Sequence, residues 1–375
     1  MPASQRTRTP NLLRLAAATS VIALAAVIAA PAAAQSREAY IKRQMQSIER
    51  MKASPKDPPK IAFVTNGVAF FWVLAKAGAE AAAKDTGAVV SVHMPPSGIG
   101  DQKRILEDLV VRGVDGIAVS PIDPANQTDT MNNVARRALL VTHDSDAPDS
   151  PRLCYIGVDN YEAGRMCGQL LKETLPDGGE IAIFIGRLEQ DNARRRRQGL
   201  IDELLGRDSN PDRFDPPGAT VSGNGFTVVG TYTDQFDRAK AKANVEDVIA
   251  RYPSIDGMVG LFEYNPPLML EALERSGKIG AVKVVAFDEA PETLAGIRKG
   301  TVHATVVQDP YMYGYRSVEM LDRLCKGDAS ALPAGGFLNV PAKAIRKANL
   351  AAFEAELAAR GRAAGPAEGD ETDDD

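Results

Sequence analysis

The chain has 375 residues, with 44 Lys and Arg against 49 Asp and Glu and a formal net charge of -5. At ~100–200 residues per domain it can hold two domains, each with its own core. Hydrophobic residues at 44% exclude a wholly disordered chain, three cysteines exclude a disulfide scaffold, and the missing basic excess excludes a general nucleic-acid binder.

The charge is uneven. Residues 1–34 carry Arg6, Arg8 and Arg14 and no acid, whereas residues 365–375 carry six acids and no base. Between them the body holds 41 bases against 43 acids and is close to neutral. The basic start is followed by the apolar run LAAATSVIALAAVIAA and then Pro31 and Ala32-Ala33-Ala34. A basic segment, an apolar stretch and a small-residue site predict a secretory signal (residues 1–34) cleaved after Ala34, and hence a periplasmic protein. Sixteen apolar residues fall short of the ~20 that span a bilayer.

Residues 35–59 read as a polar helix followed by the Pro-rich linker PKDPP. From Lys60 onward, ten β-branched runs follow: IAFVT, VVSVHM, GIAVS, LLVTHD, LCYIGVD, EIAIFIG, FTVVGTY, DGMVGLF, VKVVAFD and HATVVQ. Amphipathic helical patterns separate most of them. Near-continuous apolar strands alternating with helices predict parallel sheets covered on both faces. Ten strands exceed one comfortable sheet, so the expected fold class is α/β with two doubly wound, Rossmann-like domains. The segment 207–225, rich in Pro, Gly, Asp and Asn, reads as a surface loop with room for a short hairpin. The acidic tail is expected to be disordered. In an oxidising compartment Cys154, Cys167 and Cys325 could either pair, leaving one over, or stay buried as small hydrophobes.

In open α/β sheets, ligands bind beyond the carboxyl ends of the strands. Those ends here carry Phe70, Phe71 and Trp72; Asp144; Asn192 and the run Arg194–Arg197; Phe236; Glu263-Tyr264-Asn265; Asp288; and Gln308. No glycine-rich phosphate loop follows the first strand, and the three histidines lie far apart. No catalytic set, metal site or cofactor is therefore expected. Carboxylates, amides and an arginine suit hydroxyl groups, and flat aromatic faces suit the apolar face of a sugar ring. Each candidate has a structural alternative. Asp144 and Asp288 could cap helices, one of the Phe-Phe-Trp side chains could face the core, and Asn265 could simply form a turn. Gln308 could join an inter-domain hydrogen-bond network.

The segments AFFW, RGVDGIAVSP, THDSDAP, YIGVDNYEAGRMCGQ, NARRRRQG, TDQFDRAKAKANVEDVI, YNPP, VVAFDEAP and GTVHATVVQDPYMYG resemble the ribose/galactose-type periplasmic sugar-binding proteins of ABC transporters, over about Lys60–Lys347. The resemblance implies a type I periplasmic-binding-protein fold with a three-crossover hinge near Val158–Asn160, Gln308–Pro310 and Ala334–Leu338. The implied lobes are 60–158 plus 309–335 and 159–308 plus 336–348, followed by a helix and tail over 349–375. It places an aromatic sandwich on Phe70 or Phe71 and Phe236, and polar ligands on Asp144, Arg196, Asn265, Asp288 and Gln308. Arg196 is singled out from its run by the R-x-x-G spacing to Gly199. Val68 and Ser145 stand where ribose-binding members carry asparagine and arginine. Both departures count against ribose and leave the wider class of sugars and polyols. The implied partners are a sugar-like molecule and an inner-membrane ABC permease, or alternatively a membrane sensor such as a receptor kinase or chemoreceptor. A monomer without enzymatic activity is expected.

Overall fold

The computed structural model describes residues 37–363. The predicted signal segment and the acidic tail lie outside them. Helix α1 (37–53) opens the described chain. It is no free spacer, because Ile48 is buried in the core beneath it and Gln44 reaches into the fold. Gln44 donates to the carbonyl of Pro151 at 2.7 Å and accepts from the backbone N–H of Leu140 at 2.8 Å.

The first lobe then alternates strand and helix. β1 (Lys60–Val64), α2 (Phe70–Thr86), β2 (Val89–His93) and α3 (Ile99–Val111) lead to β3 (Gly116–Val119), α4 (Thr128–Ala135), β4 (Leu139–His143) and β5 (Tyr155–Gly157). The chain crosses to the second lobe through α5 (Asn160–Thr174), β6 (Gly179–Ile185) and α6 (Asp191–Leu204). There the hairpin β7 (Val221–Gly223) and β8 (Phe226–Thr233) follows, then α7 (Arg238–Arg251), β9 (Gly257–Gly260) and α8 (Asn265–Arg275). β10 (Lys283–Phe287), α9 (Pro291–Lys299) and β11 (Ala304–Val307) complete that run. α10 (Pro310–Cys325) and β12 (Phe337–Asn339) return to the first lobe, and β13 (Lys343–Arg346) with α11 (Leu350–Ala363) belongs to the second.

The first sheet has the order β12-β5-β4-β3-β1-β2 and is parallel throughout. The second has the order β13-β11-β10-β9-β6-β8-β7, antiparallel only at its two edges. Alternation along each strand divides the core in two. Ile61 and Phe63 face one apolar layer of the first sheet, while Ala62 and Val64 face the other. Ile181, Ile183 and Ile185 lie on one side of the second sheet, and Ala182 and Phe184 on the other. Burial on both faces is the reason these strands read as unbroken apolar runs.

Two short edge strands, β12 and β13, were not read from the sequence, whereas the short hairpin allowed for in 207–225 is present. β7 forms the hairpin in the 207–225 segment and turns through Asn224-Gly225, both at positive φ as such a turn requires. β12 moves the third crossing. Phe337–Asn339 pairs with Tyr155–Gly157, and the Phe337 ring stacks on Tyr155 at 5.4 Å. The chain therefore changes lobe at Val340–Ala342 instead of Ala334–Leu338, and residues 336–339 belong to the first lobe. The three cysteines are buried free thiols, and burial pushes Cys154 up to about 11 and Cys167 and Cys325 to about 12. No disulfide forms among them.

Candidate ligand-binding cleft

The carboxyl ends of both sheets open on one cleft between the lobes, with a cavity volume of about 610 Å³. Phe70, Phe71, Asp144, Arg196, Phe236, Asp288 and Gln308 all line it. Asn265 does not. Its Oδ1 accepts from the backbone N–H of Phe262 at 3.1 Å, and its Nδ2 donates to Asp234 at 3.1 Å, so the side chain is spent at the start of α8. Of the three consecutive aromatics, Phe70 is 55% exposed, whereas Phe71 packs edge-on against Trp72 and near Tyr313. Phe70 is thus the open aromatic of the first lobe, and Phe236 that of the second.

Asp144 and Asp288 occupy matching places after β4 and β10, and both have left-handed backbone, with φ of 58° and 63°. Phe236 has φ of 65°. Non-glycine residues seldom adopt this region, and here three of them gather at one cleft. Neither aspartate is a simple helix cap. Asp144 accepts from Ser120 at 2.9 Å and from Asn66 and Asn192 at 3.3 Å each. The Asn192 bond comes from the opposite lobe, so the two lobes meet at a buried contact in the depth of the cleft.

Arg196 lies beneath both carboxylates, with 1% exposure. Its guanidinium sits 3.7 Å from the Phe287 ring centre and donates to the carbonyl of Leu261 at 2.7 Å and to Asn160 at 2.9 Å. Asn160 in turn donates to Tyr155, which ties the arginine to the first crossing. Gln308 donates to Asp288 at 3.0 Å and accepts from Tyr313, whose hydroxyl also accepts from the Val158 N–H. Gln308 is therefore part of the inter-lobe network as well as the cleft wall.

Electrostatics follow burial. Burial pushes Asp144 up to about 6, opposed by Arg196 and the Ser120 and Asn192 donors. It pushes Asp288 up to about 7, opposed by Arg196 and Gln308. Both acids stand ready to receive hydroxyl donors, which would relieve the cost of their charged form.

Several lining residues were not assigned from sequence: Asn66, Arg187, Gln190, Arg238 and Phe262. Asn66 follows β1 directly, where the strand-end rule would have found it. It donates to Asp144 and accepts from the only tryptophan, Trp72. Val68 lines the rim, 69% exposed, while Ser145 is fully buried and does not line the cleft.

Two interleaved doubly wound lobes with a polar, aromatic-walled cleft between them define a hinged, two-lobed binding protein. A model of the periplasmic binding protein domain matches residues 61–329, and the chain belongs to that family, whose members are binding proteins and not enzymes. Among its relatives, the ribose import binding protein RbsB of Salmonella typhimurium is 23% identical over 323 residues, covering 85% of this chain and 94% of the relative. The D-allose-binding periplasmic protein of Escherichia coli is 25% identical, covering 67% and 79%. Among solved structures, an ABC transporter solute-binding protein from Burkholderia graminis in complex with D-arabinose superposes with a TM-score of 0.71 at 27% identity, covering 79% of this chain and 98% of the other. The glucose-galactose binding protein GanP of Geobacillus stearothermophilus gives 0.70 at 26%, covering 79% and 99%. Among the described residues, no helix is long and apolar enough to cross a membrane.

Proposed function

We propose that the chain is an exported solute-binding protein that captures a monosaccharide or related polyol between its lobes and delivers it to an ABC importer. The observation that carries this reading is the cleft itself: Asp144, Arg196, Asp288 and Gln308 converge between Phe70 and Phe236. Relatives named for ribose, allose, arabinose and galactose support the sugar class. The predicted signal over residues 1–34 supports export, with Gln35 as the first residue of the mature chain.

Isothermal titration of the mature protein against a broad panel of sugars and polyols tests the capture. Saturable binding to at least one of them is expected, accompanied by a change in Trp72 fluorescence, since that indole lines the cleft. Binding to a different solute class alone would overturn the assignment. Delivery is tested with an ABC permease and its ATPase reconstituted in vesicles. The sugar-loaded protein should stimulate ATP hydrolysis, and a loaded protein that does not would remove the transport role.

A further inference from the structure

One side of the cleft holds donors that the protein itself leaves unused. Arg187 follows β6 and lies half-buried on the wall, its guanidinium carbon 4.7 Å from the Phe236 ring centre. Its Nε is buried without a hydrogen-bond partner, and Arg187 enters no ion pair among the described residues. Gln190, three residues on, is 1% exposed and lines the same wall. Its Nε2 is also buried without a partner. Asp191 beside it is held by Arg195 at 3.0 Å and does not line the cleft. Leaving two buried donors unpaired is costly, so their geometry calls for an acceptor.

Arg187 also differs from the other cations of the cleft in what it faces. Arg187, Arg196 and Arg238 face Asp144, Asp288 and Glu263. Burial raises all three acids, and Arg196 and Arg238 are the cations that oppose those shifts. The three cations and three acids balance in number, and Arg187 is the one cation that opposes none of those three shifts.

Resting on the sugar-capture reading, we propose that the cleft receives a sugar bearing an oxyanion substituent, a carboxylate or a phosphate, with Arg187 and Gln190 as its donors beside the Phe236 ring. An arginine fork matches either group in two-point contact, while the aspartates and Gln308 at the hinge side take the hydroxyls. Stacking on Phe236 leaves the N–H edge of the guanidinium free for this purpose.

The test is titration calorimetry of the mature protein with matched pairs: D-galactose and D-galacturonate, D-glucose and D-glucuronate, D-ribose and D-ribose 5-phosphate. The first two pairs read the carboxylate and the third the phosphate. At least one acid should bind tighter than its neutral parent by on the order of tenfold or more, with the advantage shrinking as salt rises. Arg187→Gln should reduce that preference to about threefold or less, and Arg187→Lys should restore part of it. Neutral parents that bind as tightly as their acids, or a preference that survives Arg187→Gln, would overturn the inference while leaving sugar capture standing. Failure of every neutral and acidic carbohydrate would overturn both.

Discussion

At the scale of single residues, the cleft trades stability for binding. Asp144 and Asp288 are buried acids whose native pKa values, about 6 and about 7, lie above those of the unfolded chain. Between about pH 4 and 7 the folded protein therefore binds more protons than the unfolded one, and their contribution to stability falls as pH rises through that window. Asp288→Asn removes the charge but keeps the shape. In the ligand-free protein it should stabilise by about 1–3 kcal/mol at pH 8 and by much less at pH 5, as measured by urea unfolding. The same variant should lose sugar affinity by on the order of tenfold or more, because an amide cannot replace a carboxylate facing two hydroxyls. Equal effects on stability at both pH values would show that the burial of charge is not the cause. His143 works in the opposite sense. Burial lowers it to about 3, so its contribution is lost as pH falls below about 6.5, which makes the variant comparison sharper than the wild-type profile alone.

At the scale of elements, the helix pair α5–α6 sets the position of Arg196. A Cβ on Gly199 would lie 1.9 Å from the carbonyl oxygen of Tyr161, and one on Gly164 would lie 1.9 Å from that of Arg196. The R-x-x-G spacing thus has a physical meaning: the glycine brings α6 onto α5, and the arginine one turn earlier is delivered to the cleft floor. Gly199→Ala should push the helices apart, cost about 1–3 kcal/mol in stability, and weaken sugar binding through Arg196. Titration and thermal unfolding of that variant check both effects, and unchanged affinity would refute the coupling. Sequence reading located nine interior strands, whose burial on both faces leaves a continuous apolar signature, and β2 at the edge of the first sheet. It missed β12 and β13, which are three and four residues long and lie at sheet edges, where one neighbour and partial exposure dilute the pattern. The strand-end rule found Asp144, Asp288, Gln308 and Phe236, since position along the chain decides which residue stands there. It misplaced Asn265 because the turn into α8 directs that side chain to Asp234, a matter of rotamer and local hydrogen bonding. Choosing between Phe70 and Phe71 likewise needed the packing of Trp72 and Tyr313.

At the scale of the molecule, three crossings bind the lobes into one thermodynamic unit. Tyr313, on an element of the first lobe, links Val158 of the first crossing to Gln308 of the second, and Asp144 meets Asn192 between the lobes. Calorimetry of the mature protein should show one unfolding transition, displaced upward by ligand through about 4 kcal/mol at a thousandfold excess over Kd. Two separable transitions, with only one responding to ligand, would contradict this cooperativity.

The same interleaving orders events in time during synthesis. Tyr313, Val318, Leu321 and Leu324 of α10 fill one side of the first lobe's core, yet they follow nearly the whole second lobe in the chain. At ~5–20 residues per second the ribosome needs roughly ten to thirty seconds to travel from β5 to α10. Throughout that interval the first lobe has an open apolar face and an unpaired sheet edge at β5. A chain whose first lobe is completed only by α10 and β12 stays threadable for longer, which suits the export proposed for it.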